Sequence, residues 1–222
     1  MAEPATTGTS GLSRETEEEG FYHEAALNAA WTGSRLAIGG LCFLFGSFMF
    51  AYFYLRSLNS SGKWLGPGYH PPSILMGSVI MALVLVSAGI HYAALQQIKA
   101  GNKQLWVIGA MTALILGVGA VVLQILELLY LPFWPGSSGF SSVFVGFYPV
   151  FIVVVLAAMI WLETLLARAR FIPAISFVEQ PPTYKEAFAV QRFQASLSGF
   201  ATVWNFLAVV AIIFWVLFYV MP

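Results

Sequence analysis

The chain has 222 residues, of which 59% are hydrophobic and only 9% are charged, and its mean hydropathy is +0.80. Soluble domains carry about 25% charged residues, so this composition excludes a soluble domain and predicts an integral membrane protein. The net charge of zero argues against a nucleic-acid-binding protein, and the single cysteine excludes an internal disulfide and a metal site built on cysteines.

The N-terminal part of the chain is polar and acidic. Residues 1–20 lack the basic start and apolar centre of a secretory signal, so they predict a disordered tail. Residues 21–31 predict an interfacial segment that is too short to cross a membrane. The first apolar stretch long enough to cross is 32–54.

Four further segments are apolar over about 20 residues, the length that spans a bilayer core. These segments are 73–94, 105–130, 140–166 and 196–220, and residues 167–194 form the longest internal loop. The sequence shows neither a repeat nor a second domain. It therefore predicts an all-α, polytopic membrane protein in which residues 32–222 form a bundle of five transmembrane helices.

The basic residues predict how the bundle is oriented. Five spans place the N-terminus, the turn at 95–103 and the loop 167–194 on one side of the membrane. That side carries eight of the ten basic residues: Arg14, Arg35, Lys99, Lys103, Arg168, Arg170, Lys185 and Arg192. Only Arg56 and Lys63 lie on the other side. By the positive-inside rule the N-terminus is cytoplasmic and the C-terminus is outside.

One row of small and polar residues runs along the third span at helical spacing. Its members are Ala110, Ala113, Gly117, Ala120, Gln124 and Glu127. Small residues let helices approach closely in lipid, and a carboxylate at membrane depth faces protein or water. This face is therefore predicted to point into the bundle.

Glu127 permits two interpretations. It could take part in a proton or substrate relay, or it could be a structural carboxylate that hydrogen-bonds within the bundle or to the connector 131–139. The structural interpretation is favoured because no second acidic residue on the same helix continues a path. Donors of the connector, such as Ser137 and Ser138, are its predicted partners.

The remaining polar residues of the spans are predicted to have structural roles rather than catalytic or metal-binding ones. The chain has three histidines, and only His91 lies inside a span, whereas haem or copper ligation needs two or three converging histidines. His91 is therefore predicted to be a packing histidine. Arg35, near a cytoplasmic helix end, is predicted to snorkel and form ion pairs, and Asn205 to hydrogen-bond between helices.

Several motifs resemble those of subunit III of the haem–copper oxidases, over roughly residues 30 to 222. The first span ends in an aromatic-Ala-aromatic-aromatic pattern, and a Gln-x-x-Glu motif is followed by two aromatic motifs and a Trp-x-Phe motif. The matching residues are Phe50-Ala51-Tyr52-Phe53, Gln124-x-x-Glu127, Phe140-Ser141-Ser142-Val143-Phe144, Gly146-Phe147-Tyr148 and Trp204-Asn205-Phe206. The five-helix count is that of the shorter bacterial form of the family.

The sequence departs from that family at several polar positions. The membrane-embedded glutamate of the family falls at Leu41, and its Gly-Phe-His histidine falls at Tyr148. A second histidine falls at Phe151, and the final Trp-His-Phe-Val-Asp element reads Trp204 to Ala208. Most of the family's polar signature is gone except Gln124 and Glu127.

The resemblance implies an accessory, non-catalytic subunit III of a terminal oxidase in a bacterial cell membrane. Oxidase subunits I and II would be its partners, in some cases within a larger respiratory supercomplex. Haem and copper would sit in those partners, with no catalytic, cofactor or metal residue in this chain, and phospholipid would bind in the helix clefts. The structural polar or lipid-contact candidates are Gln124, Glu127, His91, Asn205, Trp204 and Arg35.

Two alternatives stay open. The chain could be a subunit III-like paralogue that serves a nitric oxide reductase or a quinol oxidase. It could also be a small stand-alone transporter, which would predict discontinuous spans or several charges at the membrane midplane. The apolar segments are continuous and their centres lack charge, which favours the subunit.

Overall fold

The computed structural model describes residues 9–59, 64–66, 68–173 and 184–222. Over this part of the chain it contains helices and no strands. Five helices are long and apolar enough to cross a membrane. They are α1 (Thr9–Leu58), α2 (Ile74–Lys99), α3 (Lys103–Leu129), α4 (Gly139–Ala169) and α5 (Tyr184–Trp215), the last continuing as the π-helical turn Val216–Val220. The prediction of an all-α, multi-pass membrane protein with a five-helix bundle is confirmed.

The N-terminal boundary differs from the prediction. Residues 1–8 lie outside the described residues, but α1 already begins at Thr9, within the segment predicted to be a disordered tail. The predicted interfacial segment 21–31 is not a separate helix either, because α1 runs through it without a break. No proline occurs between Pro4 and Pro67, and the intervening residues are rich in Ala, Leu and Glu, which favour helix.

The helix α1 is longer than a bilayer requires. Its apolar part, Gly20–Leu58, has 39 residues and is about 58 Å long at 1.5 Å per residue, against a hydrocarbon core of about 30 Å. Only 11% of the most apolar stretch of α1 is buried by the rest of the chain, compared with 56% for α5. The helix therefore reaches beyond the membrane and exposes most of its surface.

The loop before α5 is shorter than predicted. Residues 167–169 end α4, and residues 184–194 already belong to α5, although residues 167–194 were predicted to form a loop. The exposed polar side chains of this segment resemble those of a loop in the sequence, although one face of the helix is apolar. Val190 and Phe193 on that face are buried, and the ring of Phe193 lies edge-on to Trp106 with centroids 5.6 Å apart.

Four helices close into a ring, and the fifth lies outside it. The helix α2 packs on α3, α3 on α4, α4 on α5, and α5 returns to α2. The helix α1 packs against α4 and α5. Residues 130–138 form the observed connector between α3 and α4, in place of the predicted 131–139. They lie at one end of the bundle with the start of α2 and the last residues of the chain, and we call this the connector end. The positive-inside rule predicts that the connector end faces outside.

Close contacts in the ring depend on small residues, as the spacing on α3 predicts. All six residues of the predicted row on α3, from Ala110 to Glu127, are buried. The hydroxyl of Ser87 on α2 donates to the Ala113 carbonyl of α3 at 2.7 Å. A Cβ at Gly109 would lie only 2.6 Å from the Cβ of Ala94, so the two helices touch backbone to backbone there.

The connector end is tied together by aromatic and polar contacts. The hydroxyl of Tyr52 on α1 donates to the Met221 carbonyl, and Arg56 donates to the same carbonyl and, at 2.6 Å, to the Tyr52 oxygen. The ring of Trp64 fills the space between Tyr52 and Phe140, edge-on to both. These contacts fix the end of α1 against the ends of α4 and α5.

Candidate functional site

The most polar buried cluster of the described residues surrounds Glu127, in the last turns of α3. The side chain is 7% exposed, and its two oxygens meet hydroxyls from two other helices. The Tyr148 hydroxyl of α4 lies 2.7 Å from Oε2, and the Tyr219 hydroxyl lies 2.8 Å from Oε1. The two hydroxyls are also hydrogen-bonded to each other. Glu127, Tyr148 and Tyr219 therefore form a closed triangle of oxygen contacts.

The sequence positions Tyr148 by aromatic packing. It lies on the buried face of α4 one helical turn from Phe144 and one turn from Phe151. Its ring stacks on Phe144 with centroids 4.3 Å apart. The next residue, Pro149, lacks a backbone N–H and leaves the Val145 carbonyl without its usual helical donor. The stacked ring aims its hydroxyl at the end of α3.

Tyr219 is positioned by a change of helix geometry and by a glycine. It lies in the π-helical turn Val216–Val220, and turns of this kind are rare and occur often at functional sites. Its ring lies directly over Gly77 of α2, where any Cβ would overlap the ring. Gly77 thus provides the space that lets Tyr219 reach between α2 and α3.

The predicted partners of Glu127 are not the observed ones. The connector serines turn toward α4 instead: Ser138 accepts from the Ser141 N–H at 3.1 Å, and the Ser141 hydroxyl accepts from the Ser138 N–H at 2.8 Å. Ser137 donates to the Ser141 hydroxyl at 3.3 Å. This capping box satisfies the start of α4, and no hydrogen bond between Ser137 or Ser138 and the carboxylate occurs among the described residues.

Gln124, one turn before Glu127, lines a cavity on the other side of the tyrosines. The side chain is 4% exposed, and its Oε1 has no donor among the described residues. The cavity has about 30 Å³ of space for the centre of a water molecule and is bordered by Gly77, Tyr148 and Tyr219. A single water fits this space and could donate to the amide oxygen.

A second, larger pocket reaches Glu127 from the connector end. It has about 170 Å³ and lies between the start of α2, the end of α3 and the connector. Its lining residues are Pro72, Ser73, Met76, Leu126, Glu127, Tyr130, Leu131 and Pro132. Glu127 therefore stands between an opening at the connector end and the tyrosine pair.

His91 and Trp204 are buried packing residues. His91 on α2 is 1% exposed, and its ring lies edge-on to Phe200 with centroids 4.7 Å apart. Trp204 is fully buried and stacks on the same Phe200 at 6.2 Å. The His91 Nε2 and the Trp204 indole nitrogen have no hydrogen-bond partner among the described residues. The structure does not bring either residue to Glu127.

Arg35 and Asn205 both lie on the outside of the bundle. The Arg35 guanidinium stacks over the Trp31 ring, with its central carbon 3.3 Å from the ring centroid. Asn205 was predicted to hydrogen-bond between helices, but its side chain is exposed and has no described hydrogen bond. The reason is geometric: the buried face of α5 is centred on residues such as Phe200 and Leu207, and Asn205 falls on the opposite side of the helix.

Sequence reasoning missed the two tyrosines. From the sequence, Tyr148 is only the position at which the family that the chain resembles has a histidine, and Tyr219 is part of the last apolar run. A hydroxyl placed on an otherwise aromatic buried face, as at Tyr148, is a sequence signal for a polar partner on a neighbouring helix. No sequence pattern relates residues 127, 148 and 219 to one another, because they meet only through the packing of three helices.

In comparisons with known proteins, no family model matches the chain, and no curated protein matches its sequence. Within the described residues, no three His, Cys, Asp or Glu side chains are grouped as they would be around a metal ion.

Proposed function

We propose that this chain is an accessory, non-catalytic subunit III of a respiratory terminal oxidase and binds the catalytic subunit through its membrane surface. The observation that carries the proposal is a polar stripe on the outward face of α5. Ser198, Thr202 and Asn205 follow one another at helical steps, and all three are exposed. The stripe lies near the middle of the membrane-crossing segment Ala187–Val220.

An outward polar stripe at this depth is costly in lipid. Thr202 reduces the cost by donating to the Ser198 carbonyl of its own helix at 2.9 Å. Asn205 has two donors and an acceptor and cannot satisfy them in the same way. Polar side chains of this kind are the groups that join helices inside membranes. A helix of another membrane protein would cover the Asn205 amide and give it a partner.

The outer surface of α1 carries a second feature that favours contact with another membrane helix, a row of small residues. Gly33, Gly40 and Ser47 are exposed at steps of seven residues, so they lie along one side of the helix. A Cβ at Gly33 or Gly40 would have no atom within 4 Å. These glycines therefore serve no contact within the described chain, and such positions allow a second helix to approach closely.

The continuity of the helices favours a subunit over a stand-alone transporter. Transporter folds bind their substrates where helices are interrupted near the midplane. Here α1 to α4 cross as unbroken helices, and the π turn of α5 lies at its end. The motifs shared with subunit III of the haem–copper oxidases then decide which kind of complex is proposed.

Purification in a mild detergent tests the proposal. We expect a tagged chain to retain a larger membrane subunit with haem absorbance, identified by mass spectrometry. The variant Asn205→Leu should lose most of that subunit, because it removes the amide and keeps an apolar surface. Thr112→Leu is the matched control, since Thr112 is exposed on α3 and donates to its own helix at Ile108. Purification of the chain without any haem-bearing subunit would refute the proposal.

A further inference from the structure

The number of hydrogens in the triangle of Glu127, Tyr148 and Tyr219 depends on whether Glu127 is protonated. Three oxygen–oxygen contacts join the three side chains, and each hydrogen bond needs one hydrogen. Each phenol has one hydrogen to donate, and an ionised carboxylate has none. An ionised Glu127 therefore leaves two hydrogens for three contacts.

The two protonation states of Glu127 give different arrangements. With an ionised carboxylate, both phenols donate to Glu127, and the two phenol oxygens face each other without a hydrogen between them. With a protonated carboxyl, Glu127 donates to Tyr219, Tyr219 donates to Tyr148, and Tyr148 donates to the second carboxyl oxygen. Every contact is then a hydrogen bond, and a ring of such bonds reinforces itself. Three oxygen contacts are observed, and only the protonated arrangement places a hydrogen in each of them.

The surroundings of the ring contain no compensating positive charge among the described residues. The titratable groups that face Glu127 are Tyr148 from α4, Tyr219 from α5 and, at the edge of the pocket, Tyr130. The helix α2 and its N-cap residue contribute Met76, Gly77 and Ser73, none of which titrates. An unpaired charge is expensive to bury, so the absence of a described cation agrees with a neutral carboxyl.

The pocket at the connector end gives the carboxyl a route to water. Glu127 itself forms part of the pocket wall, and Ser73, Tyr130 and Pro132 lie at the start of α2 and in the connector. The tyrosines close the opposite side. A proton on Glu127 can therefore be exchanged toward the connector end without passing through the apolar centre of the bundle.

We propose that Glu127 is a proton-binding site that takes up and releases its proton through the pocket between α2, α3 and the connector. Release leaves a carboxylate that accepts from both phenols, and the Tyr148–Tyr219 hydrogen bond is lost. That bond joins α4 to the π turn of α5, so the protonation of Glu127 controls the contact between these two helices. The ligand of the site is the proton, supplied by water at the connector end.

Infrared difference spectroscopy of the purified full-length protein, with any chains that co-purify, tests the protonation state. We expect a carboxylic C=O band at neutral pH in the wild type that is absent from Glu127→Gln. Tyr148→Phe and Tyr219→Phe should each shift this band, since each removes one hydroxyl and nothing else. Glu163→Gln, which alters an exposed carboxylate at the other end of α4, should change only carboxylate bands. Spectra in which Glu127→Gln also changes only carboxylate bands, or in which neither tyrosine variant shifts the carboxylic band, would overturn the proposal.

Exchange into D₂O tests the route. The carboxylic band should shift on perfusion with D₂O, and Met76→Trp, which fills the pocket, should slow that shift several-fold. Val79→Trp is the matched control, because Val79 lies on the same helix but is exposed and outside the pocket lining. Equal exchange in the two tryptophan variants, or no exchange in the wild type, would show that the pocket is not the proton route.

Discussion

The ring of Tyr219 lies flat against the backbone of Gly77, and no other residue type fits beneath it. The contact joins the last turn of the chain to the first turn of α2. Because the Tyr219 hydroxyl is held by Glu127 at 2.8 Å, the ring cannot withdraw from α2 without giving up that hydrogen bond.

The variant Gly77→Ala should therefore destabilise the protein. Inserting a methyl group into a packed contact costs about 1–3 kcal/mol, and here the displaced ring would also strain its hydrogen bond to Glu127. Thermal unfolding in detergent, followed by circular dichroism, measures the loss. Gly89→Ala is the control on the same helix, because a Cβ at Gly89 meets nothing within 4 Å. An unchanged unfolding temperature for Gly77→Ala would mean that Tyr219 is free to move.

Removing the Tyr52 hydroxyl should loosen α1 from the end of α5. That hydroxyl donates to the Met221 carbonyl and accepts from Arg56, so Tyr52→Phe removes both bonds. Because the Met221 carbonyl keeps its bond from Arg56, the expected loss is that of an ordinary hydrogen bond, about 0.5–1.5 kcal/mol in the free energy of unfolding. Unfolding in detergent should show the decrease, and Tyr54→Phe, at an exposed position of the same helix, should show none.

Ser87→Ala should weaken the contact between α2 and α3. The Ser87 hydroxyl is fully buried and reaches across to the Ala113 carbonyl, which already accepts within its own helix. The expected loss is therefore modest, about 1 kcal/mol in the free energy of unfolding. Ser47→Ala is a suitable comparison, because the Ser47 hydroxyl donates to Leu44 of its own helix and faces outward. A loss no larger than that of Ser47→Ala would argue against an interhelical role.

The orientation of the bundle is open to a direct test. The distribution of basic residues predicts a cytoplasmic N-terminus and an external C-terminus. A phosphatase fused after Pro222, which is active only outside the cytoplasm, should be active, and a fluorescent protein that matures only in the cytoplasm should be dark there. The reverse pattern would also place the pocket beside Glu127 on the cytoplasmic side.

Much of the architecture was predictable because each membrane span is a local property of the chain. Residues 105–130 are apolar over the length of a bilayer whatever they touch, and α3 ends within one residue of that prediction. The buried row from Ala110 to Glu127 was equally predictable, because helical spacing decides which residues share a face. Asn205 shows the limit of that argument, since a shared face does not say whether the face is covered.

The site could be predicted only in part. Glu127 and Gln124 were identified from their own helix, but the partners of Glu127 depend on where α4 and α5 end relative to α3. The π turn that carries Tyr219 shifts its side chain relative to a regular helix, and a periodicity of 3.6 residues does not anticipate this. The connector serines were predicted as partners of Glu127 because they are close to it in sequence. In the structure they cap the start of α4 instead.

The place of α1 outside the ring has a consequence for how the protein is made. A polytopic chain emerges from the ribosome N-terminus first, so α1 enters the membrane before the helices it packs against. Its contacts are with α4 and α5, which are synthesised after α2 and α3: Phe45 packs against Phe147 and Phe214, and Tyr52 and Arg56 bond to the Met221 carbonyl. Until α4 and α5 have been synthesised, α1 is surrounded by lipid, whereas α2 and α3 can already pair with each other. Docking of α1 is therefore expected to follow the insertion of α4 and α5. A truncated chain that lacks residues 216–222 would lose the bonds of Tyr52 and Arg56 to Met221 but keep the packing of α1 on α4 and α5.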